Sequence, residues 1–84
     1  MHVEFLGIPR ERAGLSEVEI EAETLGELLG TLASRFPHLR ELITERGLHP
    51  SVAANLNGDE FVNDPNRLLA KSDHVILLSA DAGG

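Results

Sequence analysis

The sequence predicts an α+β fold, a mixed sheet of about five strands with one main helix packed across it, and a short second helix. Three segments support this prediction. The first residues alternate between apolar and polar side chains, as a strand does. A stretch that begins at Thr24 repeats its leucines at helical spacing. The continuous apolar run from Val75 to Leu78 is typical of a strand in the middle of a sheet.

Two strands are predicted at the start of the chain. Val3 and Phe5 face one side of the first strand, while Glu4 and Leu6 face the other. Glycines and a proline then indicate a loop from Ile8 to Gly14. In the second strand, apolar residues alternate with glutamates: Leu15, Glu17, Val18, Glu19, Ile20 and Glu21. The simplest arrangement of the two strands is a hairpin.

The main helix is predicted to begin at Thr24. The Thr24 hydroxyl can accept a hydrogen bond from a free amide of the first turn, and Glu27 can reach back to the Thr24 amide, which is a capping box. Apolar side chains recur on one face of the helix: Leu25, Leu28, Leu29, Leu32 and Phe36. Pro37 is expected to end the helix, because the residue before a proline is disfavoured in the helical conformation.

A short second helix and two strands are predicted next. Leu39, Leu42 and Ile43 favour a helix that ends near Gly47. The signals that follow are an alternating strand, a tight turn and a short return strand: residues 52–56, Asn57–Gly58 and Phe61–Val62.

The last strand, Val75 to Leu78, is apolar throughout, so we expect both of its faces to be covered. Such a strand fits in the middle of the sheet, between the first strand and a later one and parallel to the first. This order of elements is the β-grasp arrangement. The 84 residues are enough for a single domain, residues 1–84, with a flexible C-terminal tail over residues 79–84.

The composition excludes several classes of function. The formal net charge is −7, with 14 acidic residues against seven lysines and arginines, so a nucleic-acid backbone is not the expected partner. Because there is no cysteine, disulfides, thiolate metal sites, iron–sulfur clusters and a cysteine nucleophile are excluded. The four histidines share no ligand spacing, so we expect no metal site. There is no membrane-spanning apolar stretch and no signal peptide, and we expect a cytoplasmic protein.

Several stretches resemble the MoaD/ThiS family of sulfur carriers, which are ubiquitin-like β-grasp proteins. These are the segment after the first strand, the Asn–Gly turn, the residues before the last strand and the terminal glycine pair: Pro9–Gly14, Leu56–Glu60, Lys71–Asp73 and Gly83–Gly84. The resemblance covers essentially the whole chain. The additional segment from Pro37 to Gly47 is more similar to the MoaD branch than to the shorter ThiS branch.

The resemblance implies a reaction at Gly84. An E1-like adenylating enzyme of the MoeB/ThiF type, which uses ATP and Mg²⁺, would convert the Gly84 carboxylate to an acyl-adenylate. A persulfide or another sulfur donor would then displace AMP and leave a thiocarboxylate. In the MoaD branch, the sulfur passes to a molybdopterin precursor held by a MoaE-type subunit of molybdopterin synthase. Related carriers serve cysteine, thiamin, tRNA thiolation and secondary metabolism. The chain would bind no cofactor itself and would supply the reacting atom, without acid–base groups of its own.

The residues next to Gly84 are expected to form the tail that enters a partner enzyme. Gly83 and Gly84 have no Cβ, so they can pass through a narrow channel. Ala82 and Asp81 precede them, and the charge of Asp81 would need a cation in that channel. Residues 79–84 can extend at most ~20 Å, which is long enough to reach a site while the domain docks outside.

Four residues are candidates for docking on the partner: Leu6, Arg10, Phe61 and Leu77. Leu6 faces away from the core side of the first strand, so it can form an exposed patch with Leu77 or Phe61. The alternative is that the chain itself covers Leu6. Arg10 matches the loop arginine of the family and could pair with an acidic side chain of the partner, or could be a solvated charge.

Three functions are open from the sequence. The first is a sulfur carrier activated at Gly84. The second is a ubiquitin-like modifier, which would share the activated glycine but form an isopeptide bond with a lysine. The third is a β-grasp interaction module with an inert tail. Deletion of Gly83 and Gly84 would leave the function of such a module intact and abolish the other two.

Overall fold

The computed structural model describes residues 1–44 and 47–80. Seven strands, two α-helices and one 3₁₀ helix lie in these ranges. In chain order they are β1 (His2–Phe5), α1 (Ile8–Ala13), β2 (Glu17–Glu19), α2 (Leu25–Arg35), the 3₁₀ helix (Pro37–Leu42), β3 (Ile43–Thr44), β4 (Gly47–Leu48), β5 (Val52–Leu56), β6 (Glu60–Val62) and β7 (His74–Ser79). None of the helices in these ranges is long and apolar enough to cross a membrane.

Five of the strands form one mixed sheet in the order β2-β1-β7-β5-β6, and β3 pairs with β4 separately. The last strand, β7, lies in the middle, where it runs parallel to β1 and antiparallel to β5. The pairs β1–β2 and β5–β6 are antiparallel. The predictions of an α+β β-grasp fold and of a central last strand parallel to the first are therefore confirmed.

The hydrophobic core lies between one face of the sheet and α2. The strand registers pair Leu77 with both Phe5 and Ala54, so these three side chains lie on the same face, and all three are buried. We call this the inner face. The predicted apolar side of α2 belongs to the same core through Leu25, Leu28, Leu29 and Leu32. Phe36 follows α2 and is partly buried, with its ring centroid 5.9 Å from that of Phe5.

Two side chains cap the start of α2. The Glu27 N–H donates a hydrogen bond to Thr24 Oγ1 at 3.1 Å, as the sequence predicts. The Glu27 carboxylate accepts a hydrogen bond from the Glu23 N–H at 2.8 Å, one residue earlier than the predicted Thr24 amide. The helix ends at Arg35, in line with the position of Pro37.

Two segments differ from their predictions. The residues from Ile8 to Ala13 form helix α1 instead of a loop. Pro9 lies in the first turn of α1, where its missing N–H is not needed, and Gly14 ends the helix in the left-handed conformation with φ 80°. The glycine and proline that indicated a loop therefore mark the ends of a short helix. The predicted second helix is a 3₁₀ helix that stops before Ile43, because Ile43 belongs to β3.

The prediction that both faces of β7 are covered is wrong. Val75 and Leu77 on the inner face are buried, whereas Ile76 and Leu78 on the opposite face are only partly buried. The reason is that the described core lies on one side of the sheet. We call the opposite side the outer face, and its apolar side chains on β7 form part of the protein surface.

The turn after β5 is tied to the start of β7. Asn57 has a positive φ of 60°, and its side-chain amide donates to Asp73 Oδ1 at 3.0 Å and accepts from the His74 N–H at 2.8 Å. The second Asp73 oxygen accepts from the Ala70 N–H at 2.7 Å. These contacts lower the pKa of Asp73 from its ordinary value of 3.8, with the hydrogen bond from Ala70 as the main cause and that from Asn57 as the next.

The position of the core predicts a large difference between two leucine-to-alanine substitutions. Leu28 is fully buried, so Leu28→Ala is expected to lower the free energy of unfolding by about 2–5 kcal/mol. Leu68 is 75% exposed, so Leu68→Ala is expected to change it by less than about 0.5 kcal/mol. Urea denaturation followed by circular dichroism measures both values. Equal losses in the two variants would contradict this placement of the core.

The hydrogen bonds of Asp73 predict a pH-dependent contribution to stability. The pKa of this carboxyl is lower in the folded chain than in the unfolded chain, so it stabilises the fold above the unfolded value. That contribution is lost as pH falls through the folded value. The difference in unfolding free energy between the wild type and Asp73→Asn should therefore be steady near neutral pH and shrink below about pH 4. Urea denaturation at a series of pH values tests this, and a difference that persists unchanged to about pH 2 would refute it.

Candidate functional site

Hydrogen bonds hold the chain where β7 ends. The Ile8 N–H donates to Ser79 Oγ at 2.8 Å. The Ala80 N–H donates to Ser51 O, also at 2.8 Å. Ser79 is the last residue of β7, one residue beyond the predicted end, so it belongs to the strand and not to the predicted tail. The end of the central strand therefore has a defined position on the fold.

The predicted reacting residue, Gly84, lies outside the described residues, as do the predicted tail residues Asp81, Ala82 and Gly83. The chain reaches them directly from Ala80, the last described residue. Their roles stay predictions, and the surfaces around Ala80 are the part of the site that the structure describes.

An apolar patch lies on the outer face beside the end of β7. Leu78 pairs with Ala53, while Ile76 and Phe61 lie on either side of a different β5 residue, Asn55. Leu6 directly follows β1, and the parallel register places it next to Leu78. We define the apolar patch as Leu6, Ala53, Phe61, Ile76 and Leu78. Leu6 is 40% and Phe61 69% exposed, and a cluster of exposed apolar side chains is typical of a protein–protein contact.

Leu77 is not part of the apolar patch. It is 2% exposed and lies on the inner face, paired with Phe5 and Ala54. Its prediction as a docking residue is therefore wrong, because neighbouring side chains along a strand point to opposite faces. The residues that sequence reasoning missed are its two neighbours, Ile76 and Leu78. The parallel register with β1 could have identified Ile76 and Leu78. It places Leu77 on the same face as Phe5, and so its two neighbours on the opposite face.

The other three docking candidates are exposed. Leu6 and Phe61 lie in the apolar patch, so the alternative in which the chain itself covers Leu6 does not describe this structure. Arg10 lies in α1, four residues after the patch residue Leu6 in the chain, and is exposed. Arg12 forms an ion pair with Glu41 at 3.2 Å. A role of these residues in binding stays a prediction.

The opposite end of the outer face is acidic. His2 Nδ1 lies 3.0 Å from Glu19 Oε1, and His2 Nε2 lies 3.5 Å from Glu17 Oε2. His74 Nε2 lies 3.2 Å from Glu4 Oε1, although the two groups are not aligned as a hydrogen bond. The two imidazole rings meet edge to face, with centroids 4.7 Å apart. We call these five residues the acidic end. Within residues 1–44 and 47–80, no group of three or more histidine or carboxylate side chains is placed to hold a metal ion.

Comparison with models of known protein families shows which family this chain belongs to. The model of the ThiS family matches residues 3–84. The chain belongs to the ThiS family. The matched range runs from β1 through β7 and includes Gly83 and Gly84. A search of curated proteins finds no match to this ThiS-family sequence.

Solved structures with the same fold agree with this assignment. Small archaeal modifier protein 1 from Methanosarcina acetivorans is 27% identical to this ThiS-family chain, with a TM-score of 0.79 over 99% of this chain and 94% of that one. A chain of the BexX/CysO complex of Amycolatopsis orientalis is also 27% identical, with a TM-score of 0.80 over 99% and 98%. CysO from Mycobacterium tuberculosis is 25% identical, with a TM-score of 0.76 over 94% and 97%. The protein is thus one of the ubiquitin-like sulfur carriers and modifiers.

For this ThiS-family protein, the described surfaces form one candidate site. The apolar patch and the end of β7 are adjacent, because Leu78 of the patch directly precedes Ser79. A partner that covers the patch therefore lies next to Ala80, from which the chain continues to Gly84. The acidic end lies on the same face, so the same partner can meet both an apolar and a negatively charged surface.

Proposed function

We propose that this protein is a sulfur carrier, whose Gly84 carboxylate is activated by an E1-like adenylating enzyme and converted to a thiocarboxylate. The observation that carries the proposal is the family match, because it spans residues 3–84 and so includes the glycine pair. The fold supports it further. Gly84 lies five residues after the end of β7, so the proposed reacting group is close in sequence to the central strand of the sheet.

The carboxylate must be activated because it is a poor electrophile. In the partner's nucleotide site, a carboxylate oxygen of Gly84 attacks the α-phosphorus of MgATP, and pyrophosphate leaves. The terminal sulfur of a persulfide then attacks the acyl carbon, and AMP leaves with the electron pair of the broken carbon–oxygen bond. A thiol cleaves the resulting acyl disulfide, takes the donor sulfur into a new disulfide, and leaves a thiocarboxylate on Gly84.

The part of this chain in the reaction is to deliver the carboxylate. The four residues after Ala80 can span at most ~14 Å, so the nucleotide site of the partner must lie within that distance of the docked domain. Gly83 and Gly84 have no Cβ and can pass close to nucleotide and channel atoms. The carboxylate of Asp81 requires a cationic group at the channel entrance, since burial of an unpaired charge is costly.

We assign docking to the apolar patch together with the acidic end. The patch is continuous with the end of β7, so a partner that binds it is placed to receive the tail. The three glutamates of the acidic end favour basic side chains at the edge of the partner surface, which would steer association and fix its orientation. We also assign Arg10, which is exposed on α1, to pairing with an acidic side chain of the partner. The partners are an adenylating enzyme of the MoeB/ThiF type and, in turn, a sulfur-accepting enzyme.

For the sulfur acceptor, we propose a molybdopterin precursor bound by a MoaE-type subunit, with this chain as the small subunit of molybdopterin synthase. The support is the segment from Pro37 to Gly47, which resembles the MoaD branch and contains the 3₁₀ helix and β3. Carriers for cysteine, thiamin, tRNA thiolation or secondary metabolism are the alternatives. Incubation of the purified thiocarboxylate with each class of acceptor enzyme separates them, and transfer to another acceptor alone would overturn this assignment.

A ubiquitin-like modifier is the second candidate, favoured by the similarity to small archaeal modifier protein 1. In that case, a lysine amine of a target protein attacks the acyl carbon of the Gly84 adenylate, and AMP leaves. Trypsin cuts after Lys71, so a conjugated lysine would retain residues 72–84 of this chain. Mass spectrometry of trypsin-digested cell lysate detects that remnant.

Conversion of Gly84 to a thiocarboxylate predicts a defined change in mass. Chain co-expressed with its own adenylating enzyme and sulfur donor should gain the mass of one sulfur and lose that of one oxygen, as measured by intact-mass spectrometry. Deletion of Gly83 and Gly84 should prevent the change, and Leu68→Ala should not. An unmodified wild-type chain in the presence of active enzyme and donor would refute the sulfur-carrier proposal. Unimpaired biological function after the deletion would instead support the interaction module with an inert tail.

Docking through the apolar patch predicts a difference between two exposed apolar side chains. Phe61→Ala should raise the KM for the carrier in adenylation by about 5- to 30-fold, the effect of losing about 1–2 kcal/mol of contact free energy. Leu68→Ala is the matched control, because Leu68 is also exposed but lies outside the patch. Its KM should stay at the wild-type value. Equal KM values for the wild type and Phe61→Ala would exclude the patch as the docking surface.

A further inference from the structure

Gly7 and Ser79 are in direct contact where α1 begins and β7 ends. Gly7 has φ 62° and ψ −131°, a backbone conformation that favours glycine. A Cβ at residue 7 would overlap Ser79 Oγ and would lie 3.2 Å from Ser79 Cβ. A side chain at residue 7 would therefore displace Ser79, both through the contact and through the change of backbone conformation.

The Ser79 hydroxyl caps α1 from a distant part of the chain. The N-cap residue of α1 is Gly7, which has no side chain to accept a hydrogen bond. The Ile8 N–H belongs to the first turn and has no partner within the helix, and it donates to Ser79 Oγ at 2.8 Å. A serine hydroxyl oxygen is a common acceptor for the free N–H groups in the first turn of a helix, although it usually belongs to the N-cap residue itself. Here the oxygen comes from β7, 71 residues further along the chain.

The next residue is held from the other side of β7. The Ala80 N–H donates to Ser51 O at 2.8 Å, and Ser51 directly precedes β5. Contacts to α1 on one flank and to the start of β5 on the other thus act on two consecutive residues. Together they fix the position and the direction of the backbone at Ala80.

We propose that Ser79 is a positioning residue, which uses its contacts with Gly7 and Ile8 to set the direction in which the chain continues toward Gly84. This inference rests on the proposed activation of Gly84. Only four residues separate Ala80 from the end of Gly84, so a change of direction at Ser79 moves the volume that Gly84 can occupy relative to a docked partner. Reactions of a held group depend steeply on such placement. Ser79 acts through the backbone and does not contact the reacting atoms.

Adenylation kinetics test this role. The assay is carrier-dependent ATP–pyrophosphate exchange by the E1-like adenylating enzyme at saturating MgATP. Ser79→Ala should lower kcat about tenfold with little change in the KM for the carrier, because the docking surface is intact. Ser79→Thr, which retains the hydroxyl, should restore most of kcat. Ser72→Ala is the matched control at an exposed serine and should behave as the wild type.

A second measurement reports on the hydrogen bond between the Ile8 N–H and Ser79 Oγ. Amide hydrogen exchange at Ile8, followed by NMR well below the melting temperature, should be about tenfold faster in Ser79→Ala and return toward the wild-type rate in Ser79→Thr. Faster exchange at Ile8 with an unchanged kcat would show that Ser79 only stabilises α1, and would overturn the proposal. A raised KM with an unchanged kcat would make Ser79 a docking residue and would also overturn it. Wild-type protein that supports no ATP–pyrophosphate exchange by the adenylating enzyme would refute the proposed function, and the positioning role with it.

Discussion

The parallel pairing of β7 with β1 is the constraint on which the rest of the structure depends. The register joins Val3 to Val75 and Phe5 to Leu77, so the last strand lies between the first strand and β5. The ladder continues past β1, where the Leu6 N–H donates to Leu77 O at 2.8 Å. β7 pairs with β1 over residues 74–77 and with β5 over residues 75–79, so a strand lies on both sides of most of its length. At its end, the contacts of Ser79 Oγ and of the Ala80 N–H give the backbone a defined position.

The pairing of β7 with β1 also determines which side chains of β7 lie in the core and which lie on the surface. Val75 and Leu77 complete the core beneath α2, while Ile76 and Leu78 contribute to the apolar patch. A shift of the register by one residue would exchange the two sets, because side chains alternate between faces. The packing of the core against α2 thus also specifies the proposed docking surface. β7 therefore contributes both to the core and to the proposed docking surface, and the residues that lead to Gly84 follow its end.

Local patterns in the sequence predicted the elements whose causes are local. The cap at Thr24, the apolar side of α2 and the turn at Asn57 depend on neighbours within a few residues, and each is found in the structure. The central position of β7 could be predicted because no polar residue interrupts its apolar run. The same lack of a polar residue hides which face is buried, so the sequence does not distinguish Leu77, which is buried, from Leu78, which is only partly buried.

Features that depend on contacts between distant parts of the chain could not be predicted from local sequence patterns. Helix α1 is only six residues long, too short to show helical periodicity, and its cap is supplied by Ser79 from the other end of the chain. No pattern near Gly7 indicates that contact. The glycine pair of the candidate site came from resemblance to a family, whereas the patch around it needed the strand register. The sequence alone supplied Leu6 and Phe61, and the sheet added Ala53, Ile76 and Leu78.

In the proposed reaction, Gly84 becomes an acyl donor and leaves the activating enzyme with sulfur attached. The most direct measurement is mass spectrometry of the C-terminal peptide after the chain is incubated with its adenylating enzyme, MgATP and a persulfide donor, and then treated with an alkylating agent. We expect an alkylated thiocarboxylate located on Gly84, formed only when ATP is present. A C-terminal peptide that keeps its oxygen carboxylate under these conditions, while the enzyme consumes ATP on another carrier, would contradict it.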